Sequence, residues 1–377
     1  PEPGKPGPGQ ALLQVQRVGI CGTDLHAFVG RQPFFEYPRI LGHELGVEVV
    51  AVGEGVDQVV VGDRCAVEPY LNCGACRPCR LGRTNCCEQL QVLGVHVDGG
   101  MREQIVVPAA KLHVSKTLEL EQLALVETMG IGAHAVDRAR LVKGDTALVV
   151  GVGPIGLGVV QFAQIAGAEV LVIDADERRR NFCREQFGVE HALAPGEGTL
   201  AQLQEALDGE LPATVFDATG NAGAMMQSFF YVANAGQLVY VGFQLGEIAF
   251  PNPEFHRREM TMLSSRNAVG NDFKRIIGWM EEGKVDTRPW ITHRATFDMW
   301  PSNFRLGASR AREWLRRYCR CSEEQPDCLD AVGLLLSPEQ WIVRLFFWLA
   351  GRARVRAHIM GRQPAAACRG VVRAGPM

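Results

Sequence analysis

The sequence predicts an α/β protein in two parts: a small β-rich, barrel-like unit, then a parallel, doubly wound sheet. Three observations predict it. Over residues 11–117, short β-type runs are punctuated throughout by Gly and Pro. From about residue 118, apolar strands alternate with helical stretches at a spacing that argues for a parallel sheet. Where the first of those strands ends, a glycine fingerprint joins it to a helix. A length of 377 residues suits two domains, read as 1–117 and 118–299, followed by an atypical tail over 300–377.

In the first part the expected strands are 11–18, 46–52, 59–67 and 104–108, short β-type runs punctuated by Gly and Pro. In the second they are 146–151, 169–174, 214–217 and 237–242, with helices over 155–166, 178–187 and 201–207. The tail reads differently. It holds thirteen arginines, no lysine and six acidic groups, with four of the six tryptophans and four of the twelve cysteines. Arg-rich sequence with scattered Cys and Trp and no turn punctuation reads as out-of-frame translation of a GC-rich gene, with a genuine basic appendage as the alternative. A one-base shift near Trp300 that restores strand-like sequence would decide for the first.

Composition bounds the function. Lysine and arginine number 39 against 42 acidic residues, a net charge of −3, which argues against a dedicated nucleic-acid binder. No apolar run reaches a membrane span, and residues 331–350 are broken by Pro338, Glu339, Gln340 and Arg344. No secretory signal is read, so the cytoplasm is the expected location and the cysteines point to metal rather than disulfides. Pro1 in place of Met leads to the expectation of a further N-terminal piece.

Cys73-Gly-Ala-Cys76-Arg-Pro-Cys79, with Cys87 eight residues on, sits among Gly and Asn turn residues. Four thiolates gathered by tight turns form a closed tetrahedral Zn²⁺ pocket, a structural site with no position left for substrate. Cys86 is adjacent, but the pattern reads better with Cys87. A nucleic-acid knuckle would need basic and aromatic company that is half present, in Arg77, Arg80 and Arg83.

A second, open site is expected from Gly19-Ile-Cys21-Gly-Thr23-Asp24-Leu-His26 and Gly42-His43-Glu44. Between them the two runs offer a thiolate, an imidazole and a carboxylate, the three-ligand set of a catalytic zinc. Thr23 is placed to hand an alcohol proton to His26 and so to solvent.

The strand at 146–151 runs into Gly151-Val-Gly153-Pro154-Ile155-Gly156. Gly151 makes the tight turn, Gly153 admits the pyrophosphate, and Gly156 permits close helix–strand packing. Asp174 closes the next strand and suits a free ribose 2′-hydroxyl, so NAD is favoured over NADP. Arg178, Arg179 and Arg180 keep NADP open but read better as a solvated helix face.

Taken together, these motifs resemble the zinc-dependent medium-chain alcohol dehydrogenases over about residues 5–298. The resemblance implies a GroES-like catalytic domain joined to a Rossmann domain. It places catalytic zinc on Cys21, His43 and Glu127, with Glu44 an exchanging ligand, and puts Asp217-Ala-Thr219-Gly220 beside the nicotinamide. The carboxylate at Glu127 implies the polyol, threonine and sugar-acid branches. Gln32-Pro-Phe34-Phe35, Gly82-Arg-Thr-Asn-Cys86-Cys87-Glu, Asp98-Gly-Gly, Pro253-Glu-Phe-His256 and Ser265-Arg266-Asn267-Ala are similar to the bacterial L-galactonate dehydrogenases.

The implied activity is oxidation of a secondary hydroxyl of a small sugar acid or polyol, by a dimer or tetramer. Arg31 and Arg266 are candidate carboxylate contacts, and Phe34 a candidate pocket residue. The alternatives are an L-threonine 3-dehydrogenase or polyol dehydrogenase of the same fold, or an inactive zinc- and nucleotide-binding remnant. The remnant is considered because the family's opening strand is absent before Pro1 and its closing strands are replaced by the tail, which would leave strand edges uncovered.

Overall fold

The computed structural model describes residues 4–28, 35–296 and 345–348. The β-rich part begins with β1 (Gln10–Gly19), whose alternation turns Ala11, Leu13 and Val15 into a core. A two-turn helix, α1 (Gly22–Phe28), precedes β2 (Glu44–Val52), and β3 (Arg64–Val67) follows. A lobe then leaves the sheet through β4 (Tyr70–Leu71), the single turn α2 (Arg77–Arg80) and β5 (Gln91–Val92). The chain returns in β6 (Gln104–Pro108) and β7 (Leu112–Val114).

β1 is central, antiparallel to β2 on one side and to β6 on the other. β2 continues through β3 to β7. Leu45, Val47, Val49, Ile105 and Val107 complete the core.

The expected strand over 59–67 is shorter than the valines imply. Asp63 accepts the N–H of Val60 across a turn, which leaves Val60 and Val61 each 61% exposed. The strand itself covers residues 64–67.

The long helix α3 (Leu120–Ala139) joins the two parts and is buried on several faces, from Leu123 to Ala139. The second sheet holds β8 (Thr146–Val150), β9 (Glu169–Ile173), β10 (Ala192–Leu193), β11 (Thr214–Asp217), β12 (Gln237–Tyr240) and β13 (Thr261–Ser264). Its order is β10-β9-β8-β11-β12-β13, parallel throughout. Val149, Leu171, Phe216 and Val239 show why: strands covered on both faces are apolar at consecutive central positions.

The covering helices include α4 (Pro154–Ile165), α5 (Glu177–Phe187), α6 (Thr199–Ala206), α7 (Ala222–Ser228), α8 (Asn252–Arg257) and α9 (Gly270–Glu281). Strand order reverses between β8 and β11, so a ligand crevice is expected at the carboxyl ends of those strands.

β14 (His293–Thr296) lies parallel to β15 (Leu345–Trp348), which also pairs antiparallel with β1 at Arg17, Val18 and Gly19. The edge expected to lie uncovered is therefore paired along those residues. The rest of the tail lies outside the described residues. Among the described residues no helix is long and apolar enough to cross a membrane.

Candidate active site

At the switch point, β8 ends and Gly151 turns the chain at φ +84°. A Cβ on Gly156 would stand 1.9 Å from Gly151 O, so α4 can seat against the turn only with glycine there. Gly153 differs. It is the N-cap of α4 with φ −67°, and the nearest atom to a Cβ there is Arg179 Nη1, at 3.9 Å. That opening over a helix N-terminus fits a pyrophosphate.

Asp174 is buried at the end of β9, where Oδ2 accepts Val152 N–H at 2.8 Å and Oδ1 accepts Asp176 N–H at 2.8 Å. Of the three following arginines Arg178 is solvated as expected, at 78% exposure, but Arg179 is not. Arg179 is 5% exposed, 3.5 Å from Asp174 Oδ2, with Nε and Nη2 unbonded among the described residues. Arg178 pairs with Asp176 at 2.7 Å, and Arg180 donates to the carbonyl of Asp174. Helix α5 starts so close to β9 that its first turn must fold back over the strand end.

Asp217 is fully buried. Its Oδ1 accepts Thr219 N–H and Oγ1–H at 2.9 and 2.7 Å, and its Oδ2 accepts Ser228 Oγ–H at 2.6 Å. Burial pushes its carboxyl up, against those donors. Both oxygens are thus spent on shaping the loop, and Thr219 and Gly220 are what it presents. Thr219 packs against Gly151: a Cβ there would lie 2.8 Å from Thr219 Cγ2.

In the β-rich part, Cys21, His43 and Glu44 bring one ligand atom each within 4.8 Å of the others. Cys21 immediately precedes α1, and Glu44 opens β2 with its side chain turned inward. Asp24 makes this possible. Fully buried, it accepts Cys21 N–H at 3.0 Å on Oδ2 and Gly42 N–H at 3.1 Å on Oδ1, which clamps both donor loops together. The bond back to Cys21 is also half of a capping box at the start of α1. Burial raises Asp24's own carboxyl.

His43 is 6% exposed, and its Nδ1 has no hydrogen-bond partner among the described residues; Asp24 Oδ1 is 3.7 Å away. Burial opposes a charge on this ring, but Asp24, Cys21 and Glu127 outweigh it and hold the imidazole well above the histidine range. An orphaned buried nitrogen beside a thiol and a carboxylate fits a zinc ion. Glu127, expected in this group, stands beside it on α3, where its Oε1 accepts Tyr70 O–H at 2.5 Å. Burial and Glu127 keep the Tyr70 phenol well above its ordinary range, and so a donor. The structure brings in Glu44 instead, because a residue adjacent to His43 shares its loop.

Cys73, Cys76, Cys79 and Cys87 likewise lie within 4.8 Å of one another, and Cys86 is exposed outside the group. Backbone N–H groups point at the sulfurs: Cys76 to Cys73 at 3.4 Å, Cys73 to Cys87 at 3.2 Å, and Gln89 to Cys87 at 3.3 Å. Such donors, from Cys76 and Ala75, lower the Cys73 thiol to about 6, whereas desolvation and the Cys76 sulfur push Cys79 up to about 11. Four sulfurs this close cannot all ionise without a cation between them, which fits a closed zinc site.

Thr23 and His26 are half-buried on α1, which follows directly from Cys21. Arg266 is exposed, just past the end of β13. Arg31 and Phe34 lie outside the described residues. The sequence alone assigned no role to Asp24, Tyr70, Asn85 or His134. Asp24 had a signal, an acidic residue three positions after a helix-capping cysteine; the others had none.

Two family models match the chain: the alcohol dehydrogenase GroES-like domain over residues 7–117 and the zinc-binding dehydrogenase over residues 154–282. The L-galactonate-5-dehydrogenase of Escherichia coli K12 is 41% identical over 311 residues, 82% of this chain and 92% of that protein. Among solved structures, the Escherichia coli CFT073 alcohol dehydrogenase rspB, complexed with NADH, superposes with a TM-score of 0.76 at 28% identity, covering 93% and 94% of the two chains. A zinc-binding dehydrogenase of Sinorhizobium meliloti 1021 bound to NADP gives a TM-score of 0.76 at 25% identity, covering 92% and 94%.

Proposed function

Since the chain belongs to the zinc-type alcohol dehydrogenase family and is an oxidoreductase acting on CH–OH groups, we propose that it oxidises a secondary hydroxyl of a sugar acid of the L-galactonate class, with NAD as acceptor. The observation that carries this reading is the Cys21–His43–Glu44 group, in a chain 41% identical to an L-galactonate-5-dehydrogenase. Residues 1–117 form the catalytic part and residues 118–299 the nucleotide-binding part.

Cys21, His43 and Glu44 hold one zinc ion beside Glu127, and the four cysteines hold a second. When bound, the first ion supplies Lewis acidity to the hydroxyl oxygen and the nicotinamide supplies the hydride acceptor. Thr23 takes the hydroxyl proton and His26 passes it to solvent, so alcohol and NAD⁺ become ketone, NADH and a proton. Gly153 and the first turn of α4 seat the pyrophosphate. Asp174 accepts from the ribose 2′-hydroxyl, and its negative charge disfavours a 2′-phosphate. Arg180 donates to the backbone carbonyls of Asp174 and Ala175 and so offers that phosphate little. Arg266 meets the substrate carboxylate.

The test is NADH or NADPH formation, followed by absorbance, over a panel of sugar acids, polyols and threonine. Turnover of an L-galactonate-class acid with NAD is the expected result. Preference for a polyol or threonine overturns the substrate, and preference for NADP overturns the role of Asp174.

A further inference from the structure

Beside the four-cysteine group, polar side chains from three separate segments meet. Asn85, in the single turn between Arg83 and Cys87 of the four-cysteine lobe, is 2% exposed. Its Nδ2 donates to Arg266 O at 2.8 Å and lies 3.1 Å from His134 Nε2. Arg266 O can only accept, which fixes which end of the carboxamide faces it. His134 Nε2 must then also accept, so the ring proton sits on Nδ1, 3.0 Å from Asp272 Oδ2. Asp272, 2% exposed, further accepts Val269 N–H at 2.9 Å and Arg275 Nη2–H at 3.0 Å.

Hydrogen bonds therefore run from the lobe, through α3, into α9 and the segment after β13. That segment continues the carboxyl end of β13, the same edge of the sheet from which Gly151, Asp174 and Asp217 issue. On α3, His134 stands two turns beyond Glu127 and on the same face. The carboxamide of Asn85 thus bonds the lobe to the crevice rim.

We infer that Asn85 is a positioning residue: through it the four-cysteine lobe sets residues 265–268, and with them Arg266, at the rim of the nucleotide crevice. The role of Arg266 toward an acidic substrate rests on the function proposed above; the mechanical link does not. Nothing local ties residue 85 to residue 266, so the link exists only while the lobe is folded around its cysteines.

The test uses the full zinc-loaded chain carrying Asn85→Ala, His134→Ala, or both. Amide hydrogen exchange at residues 265–269 is expected to quicken about tenfold in Asn85→Ala, with zinc content and exchange across the rest of the lobe unchanged. With a substrate in hand, KM for the acid rises about tenfold while kcat stays within about twofold. The double variant is expected to be no worse than Asn85→Ala alone, because both residues act in one chain of bonds. Unchanged exchange at 265–269 overturns the inference. So does zinc loss with faster exchange throughout the lobe, which would make Asn85 a residue of the lobe's own fold, and so do additive effects in the double variant. Exchange needs no substrate, so a chain that oxidises no sugar acid refutes the proposed function while the coupling is still decided.

Discussion

Replacing Gly156 by alanine sets a methyl group where the carbonyl of Gly151 already stands. The added carbon would lie 1.9 Å from Gly151 O and 2.9 Å from Gly151 C, both backbone atoms that no side-chain rotation can move. Alanine gains about 1 kcal/mol of helix propensity over glycine. Overpacking of this kind costs about 1–3 kcal/mol or more, and an overlap this deep with rigid backbone belongs at or above the top of that range. The net loss is about 2–3 kcal/mol, read as a melting temperature lower by roughly 5–10 °C.

Gly153→Ala is the paired control. Its φ of −67° suits any residue, and its nearest neighbour is 3.9 Å away, so the fold accepts the methyl at a capping cost below about 1 kcal/mol. The same methyl fills the opening over α4 that the pyrophosphate needs, and NADH dissociation constants should rise at least about tenfold. Differential scanning calorimetry and NADH fluorescence titration of both variants supply the assay. A stable Gly156→Ala protein, or Gly153→Ala binding NADH as the parent does, would refute the assignment of these two glycines.

Three further outcomes follow from the site and its surroundings. Asp24→Asn puts an N–H₂ opposite one of the two buried N–H groups it serves; urea unfolding should show a loss of about 1–3 kcal/mol, with zinc retained by the four cysteines. Cys87→Ser should release the lobe's zinc, as its sulfur is buried within the group, whereas the exposed Cys86→Ser should leave metal content unchanged. Glu121 is held below its ordinary value of 4.5 by Arg294, with Arg17 adding to it. A depressed carboxyl stabilises the fold above its unfolded value and loses that contribution as pH falls through the folded one. Glu121→Gln should therefore cost about 0.5–1 kcal/mol near neutral pH and progressively less below pH about 4.5, and an equal cost at both ends would contradict the pairing.

The second sheet was legible because strands buried on both faces leave unbroken apolar runs, as at 147–150 and 170–173. The four cysteines and the glycine turn were legible because their chemistry depends on local spacing. Helix α3 was not delimited, since a helix buried on several faces loses the polar stripe that would mark its period. The valines at 60 and 61 carried strand propensity into a turn that Asp63 closes. That Glu44 lies grouped with Cys21 and His43 needed the third dimension, for it is the start of β2 that points Glu44 inward. Arg179 looked like one of three solvated arginines, and only the crossing of α5 over β9 buries it. The contact between Asn85 and His134 spans 49 residues and leaves no local trace.

The proposed chemistry depends on two metal groups, one closed and one open. Zinc content per chain, measured by elemental analysis on the parent, on Cys21→Ser and on Cys76→Ser, tests both at once. The prediction is about two ions in the parent and about one in each variant, with dehydrogenation lost on removal of Cys21. A parent holding no stoichiometric zinc, or three proteins of equal content, would contradict it.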